Sequence, residues 1–409
     1  MSAQPPGGAV PQRRLANFYF WYFAFIGVFA TYFSLYLQSI GLTAGEIGVL
    51  MASLQATRVF APGLWGWLSD HTGRPIAILR RAFAGATVVF AAMFFVESFG
   101  GLLAVIVVMS TLWSAVMPLF ESATLAWLAG DTARYGRIRL WGSVGFILAV
   151  AAAGAWLDHV AIACLLWLVL ALMLATAAFS FSVRERAVDP HDHVHVPVWQ
   201  VLRRPEIAAF FTACFLMLAS QGASYVFYSI YMVEQGFSKA VVGLLWSVGV
   251  IAEILVFMQL PRLLARFSHY HLWVLSFALT ALRYLVVAWF PEVLALQFFA
   301  QALHMFTFGT FHATALAVLH RAFPGRLRTR GQGLYTSVSF GLGGAAGGLA
   351  SGWTWTHWGP QWTFTVSAAL ALAGLLVVLA RPGALRALRS APLDGPAGTT
   401  AKLGGAETR

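Results

Sequence analysis

The segment "IGLTAGEIGVLMASL" (Ile40 to Leu54) returns at an offset of 195 as "QGFSKAVVGLLWSVG" (Gln235 to Gly249), with Gly41 over Gly236 and Gly48 over Gly243. A second pair, "LWGSVGF" (Leu140 to Phe146) over "LYTSVSF" (Leu334 to Phe340), stands at an offset of 194. One match between apolar stretches can be chance; two matches in register read as a duplicated unit. At the same offset Arg58 falls on Glu253, so opposite charges occupy equivalent positions in the two copies.

The unit is built for lipid. Of 409 residues, 59% are hydrophobic and only 10% charged, and the mean hydropathy is +0.75, which no water-soluble core can absorb. A helical crossing needs about 20 apolar residues, and twelve such stretches run between Leu15 and Arg381. Segments of that length exclude a barrel. The first stretch follows "MSAQPPGGAVPQRR" and runs past Leu35 without a short apolar region or small-residue cleavage site, so it reads as an uncleaved helix. Cys164 and Cys214 fall inside helices and imply no disulfide framework.

The net charge of +11 would suggest nucleic acid in a soluble chain, but its distribution points instead to membrane orientation. Arginines stand before the first stretch (Arg13, Arg14) and after the second (Arg74), fourth (Arg134, Arg137) and sixth (Arg184, Arg186, Arg203, Arg204). They recur after the eighth (Arg262, Arg266), tenth (Arg326, Arg328, Arg330) and twelfth (Arg381, Arg386), with Lys239 alone on the other side. Both termini are therefore expected in the cytoplasm of a multi-pass protein of the inner membrane. The expected units are residues 1–183 and 206–381, two six-helix bundles, with a cytoplasmic linker at 184–205 and a disordered cytoplasmic tail at 382–409. The fold class is an all-α membrane protein of twelve transmembrane helices in two six-helix pseudo-repeats.

Ionisable groups within the hydrocarbon region cost several kcal/mol unless they face a cavity or a partner, which makes each a functional candidate. Arg58 lies roughly 18 Å from Asp70, Glu253 roughly 14 Å from Arg262, and Arg283 roughly 18 Å from His271, at about 1.5 Å per residue. These are midplane depths; the competing reading is a buried ion pair that serves stability alone. Glu121 interrupts the apolar "VMPLFESATLAWLAG" (Val116 to Gly130). Folding the chain back about Gly130 sets it level with Arg139, a pair able to grip a polar substrate. "LHMFTFGTFH" carries His304 and His312 within about 80° on the helix wheel, either as helix connectors or as proton carriers. Trp141 and Tyr225 could stack on a ring.

Other signals weigh less. "GLGGAAGGLASG" (Gly341 to Gly352) follows no strand and reads as close helix packing. There is no GxxxxGK[ST] loop, so no nucleotide drives the protein directly. In "DPHDHVHVP" (Asp189 to Pro197), His191, His193 and His195 could hold a metal, but a solvated linker is the better reading, and no metal or other cofactor is expected.

"GWLSDHTGRP" (Gly66 to Pro75) resembles the signature between helices 2 and 3 of the major facilitator superfamily, with Gly66, Asp70, Gly73 and Arg74 in place. Parallel six-helix repeats with the substrate site between them match that family's plan. The resemblance implies a conformational role for this motif. "PLFE", followed eighteen residues later by the second Arg of "YGRIRLWGSVGF", and "LHMF" are similar to lactose permease-type proton symporters. Across nearly the whole chain, "YGRIRLWGS", "LWSVGVIAE" and the histidines of helix 10 resemble the 3-phenylpropionate transporter family. That likeness implies substrate binding by Glu121 and Arg139, and proton coupling by Glu253, Arg283 and His304. One departure stands out: Thr307 occupies the position of a protonatable Glu in lactose permease, which leaves Glu253 first and His304 second as proton carrier.

The function expected is that of a transporter, not an enzyme: a proton symporter importing a small organic molecule by alternating access, driven by the proton gradient and acting as a monomer. Three arginines (Arg58, Arg139, Arg283) against two glutamates suit an anion such as an aromatic carboxylate. A sugar or nucleoside is the alternative, favoured by Glu121 and Arg139. An efflux antiporter is a weaker rival because "LWGSVGFILAVAAAGAWL" lacks the proline of the efflux motif, and a sensor lacks its soluble domain.

Overall fold

A computed structural model describes residues 10–128, 131–185, 204–323 and 327–381. The first half contributes α1 (Gln12–Ser39), α2 (Ala44–Thr72), α3 (Pro75–Phe94), α4 (Phe99–Leu128), α5 (Ala133–Leu157) and α6 (Ile162–Ser180). The second contributes α7 (Pro205–Glu234), α8 (Lys239–Arg266), α9 (His269–Trp289), α10 (Leu294–Ala322) and a final apolar stretch, Arg330–Ala380. At about 1.5 Å per residue that last stretch would run to more than twice the roughly 30 Å thickness of a bilayer core. It is broken at Gly359, whose φ of 84° and ψ of 176° only glycine adopts readily, and Pro360 restarts the helix. The break yields α11 (330–358) and α12 (360–380), so twelve crossings stand as expected. The linker beyond Glu185, its three histidines, Gly130 and the tail from 382 lie outside the described residues.

The repeat is visible in the backbone. Gly41 and Gly236, at the 195-residue offset, both take the left-handed conformation, φ 87° and 88°, at the turns into α2 and α8. An even number of crossings puts Val10 and Arg381 on one face of the bundle, together with Gly73, which closes α2. We call this the terminal face, and the face carrying Gly41 and Gly236 the far face. Apolar side chains such as Val88, Trp167, Met258 and Leu376 are exposed on the outside, an arrangement that lipid, not water, accommodates. The aromatic face of α1, from Phe18 through Phe33, is buried against its neighbours.

The halves meet most closely toward the far face. A Cβ on Gly48 of α2 would stand 2.7 Å from the Gly352 Cα of α11, and one on Gly243 of α8 would stand 2.8 Å from the Val150 carbonyl oxygen of α5. Each copy of the repeat thus uses the same glycine to reach the opposite half. The small residues of α11 serve packing, as expected: a Cβ on Gly347 would clash with the Ala219 backbone of α7. Hydrogen bonds between described residues that cross from half to half join Gln38 to Glu234, Tyr32 to Lys239 and Asp158 to the start of α8 at the far face. Deeper in the membrane Ser337 bonds the Val59 carbonyl. Between the halves, at mid-depth, lies a cavity lined by helices of both. Gly48→Val places two methyl groups against backbone that cannot retreat. The expected result is loss of the far-face-closed state and a lower Tm in detergent, reflecting an overpacking cost of about 1–3 kcal/mol; a thermal-shift measurement reads it.

Candidate functional site

Where the halves diverge, several helices lose their regular turn. In α2 a short 3-10 turn, Thr57–Val59, carries Arg58 and is followed by Pro62. The α4 helix is interrupted after Trp113, and α7 between Ser220 and Gly222. In the second half, Met305–Thr310 of α10 and Thr336–Gly343 of α11 are π-helical. Irregular backbone at membrane depth is tolerated where it lines a cavity, and π-turns concentrate at functional sites. All five interruptions contribute walls to one cavity of about 490 Å³ lined by both halves.

Its charges fall into two compensated groups and one uncompensated one. On the second half, Glu253 Oε1 lies 2.8 Å from His304 Nε2, and Arg283 Nη1 lies 2.9 Å from His304 Nδ1. Arg283 Nη2 donates to Gln301 Oε1 at 3.1 Å. A guanidinium can only donate, so Nδ1 accepts and Nε2 carries the hydrogen that faces the carboxylate. His304 is thereby fixed as a neutral bridge between Arg283 and Glu253. Arg283 itself is buried behind the cavity wall, whereas Glu253, His304 and Gln301 face into it.

On the first half, Arg139 Nε stands 4.0 Å from Glu121 Oε1, the pairing that the hairpin about Gly130 leads one to expect. Tyr135 donates to the same carboxylate oxygen at 3.1 Å, and the guanidinium lies over the Phe23 ring at 3.9 Å. Arg139 lines the cavity; Glu121, one turn beyond Pro118 toward the terminal face, does not.

Arg58 also lines the cavity, within electrostatic reach of Tyr22 and Tyr225, and makes no hydrogen bond or ion pair with any described residue. Around it stand Tyr22, Trp113, Tyr225 and Trp246, with Trp113 Nε1 donating to the Tyr22 hydroxyl at 2.9 Å and Tyr225 stacked on Trp246.

Two expected site residues are not brought in. Trp141 is 52% exposed on the outer surface of α5 and is no part of the cavity wall; two residues beyond Arg139, it points about 200° away on an α-helix. His312 hydrogen-bonds Tyr335 at 3.0 Å and stacks on Phe308, apart from the Glu253 group. Thr307 is fully buried against Thr280 of α9, away from the cavity. The motif residues Gly66, Asp70, Gly73 and Arg74 sit at the terminal face, where Gly73 caps α2 in the left-handed conformation. Two residues without a charge signal also belong to the site: Gln301, a polar residue in "FFAQALHMF" that holds Arg283, and Gln55, three residues before Arg58 and on the same cavity wall.

Residues 12–366 match the MFS_1 like family. A maltose permease of Geobacillus stearothermophilus is 28% identical over 91% of this chain and 95% of its own length. A probable 3-phenylpropionic acid transporter of Escherichia coli (strain K12) is 29% identical over 89% and 96%. In three dimensions the nucleoside transporter NupG superposes with a TM-score of 0.80 at 17% identity, covering 90% of this chain and 98% of its own.

Trp141→Ala is expected to leave transport within about twofold of the parent, the usual range for a surface substitution. A transport assay on the variant checks it, and a large loss would return Trp141 to the site.

Proposed function

Because the chain belongs to the MFS_1 like family, whose characterised relatives are transporters and not enzymes, we propose that it is a proton symporter for a small organic anion, an aromatic carboxylate in the first instance. The observation that carries this reading is Arg58, a cation in a cavity whose other arginines already have acidic partners or, for Arg283, a bridge to one. A carboxylate would supply the missing charge bidentately, and the rings of Tyr22, Trp113, Tyr225 and Trp246 would receive an aromatic body. The 3-phenylpropionic acid transporter among the relatives agrees with that chemistry.

Glu253 is the proton carrier in this scheme. Arg283 occupies His304 Nδ1, so a proton arriving from the cavity is taken by the carboxylate while the imidazole stays neutral. Carrying one proton with one monoanion leaves the total charge of the cavity unchanged, which keeps both loaded and empty forms able to cross between conformations. The arginine-rich terminal face is the cytoplasmic one by the positive-inside rule, which sets both termini in the cytoplasm of the inner membrane. One chain holds a complete cavity and acts as a monomer.

A sugar is the second reading, supported by Glu121 and Arg139 and by the maltose permease relative. Sealed vesicles with an imposed pH gradient separate the two. Labelled 3-phenylpropionate is expected to accumulate and to resist competition by maltose or nucleosides; accumulation of maltose instead would replace the first reading by the second. Arg58→Gln is expected to weaken carboxylate binding by roughly 10- to 100-fold, the worth of a charge-assisted hydrogen bond. Glu253→Gln is expected to abolish gradient-driven accumulation and to spare substrate exchange, and unchanged accumulation would remove Glu253 from the proton path.

A further inference from the structure

The first N–H groups of any helix lack intrahelical partners. At the start of α2 the chain satisfies them locally: the Thr43 hydroxyl accepts the Glu46 N–H at 3.3 Å, and the Glu46 carboxylate accepts the Thr43 N–H at 2.9 Å, a reciprocal capping box. The equivalent start of α8, 195 residues on, keeps the hydroxyl as Ser238, which accepts the Val241 N–H at 3.3 Å. The glutamate has become Val241. The carboxylate comes instead from the other half. Asp158, directly after the last residue of α5, accepts the N–H of Lys239 at 2.7 Å through Oδ1 and that of Ala240 at 3.0 Å through Oδ2. Its Oδ1 also stands 3.9 Å from Lys239 Nζ.

We propose that Asp158 is an interdomain latch, a helix cap supplied in trans that holds the far face shut and must be released before the cavity can open there. The α5–α8 crossing is where such a latch bears on the halves: the buried Tyr32 hydroxyl lies 3.0 Å from the Val150 carbonyl oxygen of α5 and 3.1 Å from that of Lys239 of α8. Opening that separates these helices strips α8 of its carboxylate while α2 keeps its own. The two ends of the repeat are therefore unequal: one is indifferent to the state of the transporter and the other is not. Burial works to raise the Asp158 carboxyl, but the Ala240 and Lys239 N–H groups, the Ser238 hydroxyl and the Lys239 ammonium outweigh it and hold the group below the usual carboxylate range. A depressed carboxylate contributes above its ordinary range and is lost only as pH falls through the lowered value, so the latch stays charged at neutral and mildly acid pH.

The inference rests on the halves moving as rigid bundles and not on the identity of the cargo. Spin labels at Ile40→Cys and Gln235→Cys, exposed equivalents on the far face, with Cys164 and Cys214 replaced by Ala, report its opening as a distance distribution in the full-length protein in lipid. Asp158→Ala is expected to raise the long-distance fraction by about 3- to 30-fold, the worth of a lost cap, with Asp158→Asn in between. The double variant Asp158→Ala, Val241→Glu rebuilds the cap in cis and is expected to stay open-shifted. A distribution unchanged in Asp158→Ala would overturn the latch. So would a double variant that returns to the parent distribution, because fraying of α8, and not contact between the halves, would then be the cause. If Asp158→Ala fails to insert, Asp158→Asn is measured in the same two backgrounds and decides the matter in the same way. Either failure leaves the carboxylate reading of the cavity standing.

Discussion

A guanidinium held in the hydrocarbon region has to be neutralised, and the cavity is organised around how that is done for three of them. Arg139 has Glu121 beside it and the Phe23 ring beneath it. Arg283 reaches Glu253 through the imidazole of His304 and fills its second fork position with Gln301. Only Arg58 is left facing the cavity with no ion pair to an acidic side chain among the described residues. Where the other two arginines are consumed by structure, the third is available to whatever enters.

The backbone follows the same logic. Regular helix hides its polar groups, so a bundle of twelve uninterrupted helices would offer a ligand nothing but side chains. Here the turns at Thr57–Val59, after Trp113 and around Gln221, together with the π-helical stretches Met305–Thr310 and Thr336–Gly343, all fall at one depth and on one cavity. The glycine crossings at Gly48 and Gly243 lie nearer the far face, where backbone meets backbone and little can yield. Soft segments therefore surround the ligand space while the rigid contact is displaced from it, which suits two bundles that turn about a site and not through it.

Much of this was legible in the chain itself. The repeat predicts two halves of six helices, and it pairs Gly41 with Gly236, which share the left-handed conformation. Folding about Gly130 paired Glu121 with Arg139 because a short antiparallel hairpin leaves little freedom in height. Trp141 was misplaced because its residue type was weighed without its angle, although a helix wheel already sets it opposite Arg139. His312 shows a different failure: it does share a face with His304, both rings stacking on Phe308, but eight residues at about 1.5 Å each carry it roughly 12 Å along the axis, where it meets Tyr335 instead of Glu253. The Asp158 contact had no local signature. Its partner is 81 residues away in the other half, and only the missing glutamate at Val241 marks the place.

The charges at Arg58 and Glu253 occupy one position of the duplicated unit, once with each sign, and both face the same cavity. A duplication that began with equal walls has become a polarised one, with a guanidinium on the wall of the first bundle and a carboxylate on the wall of the second. Such a pair of walls sorts orientation: a molecule with one anionic end turns that end toward α2 and its body toward α8, while the reversed pose sets its anion against the Glu253 carboxylate. The pseudo-twofold axis that makes the halves alike in shape thus makes them opposite in sign, and a symmetric scaffold acquires a single direction in which cargo can lie.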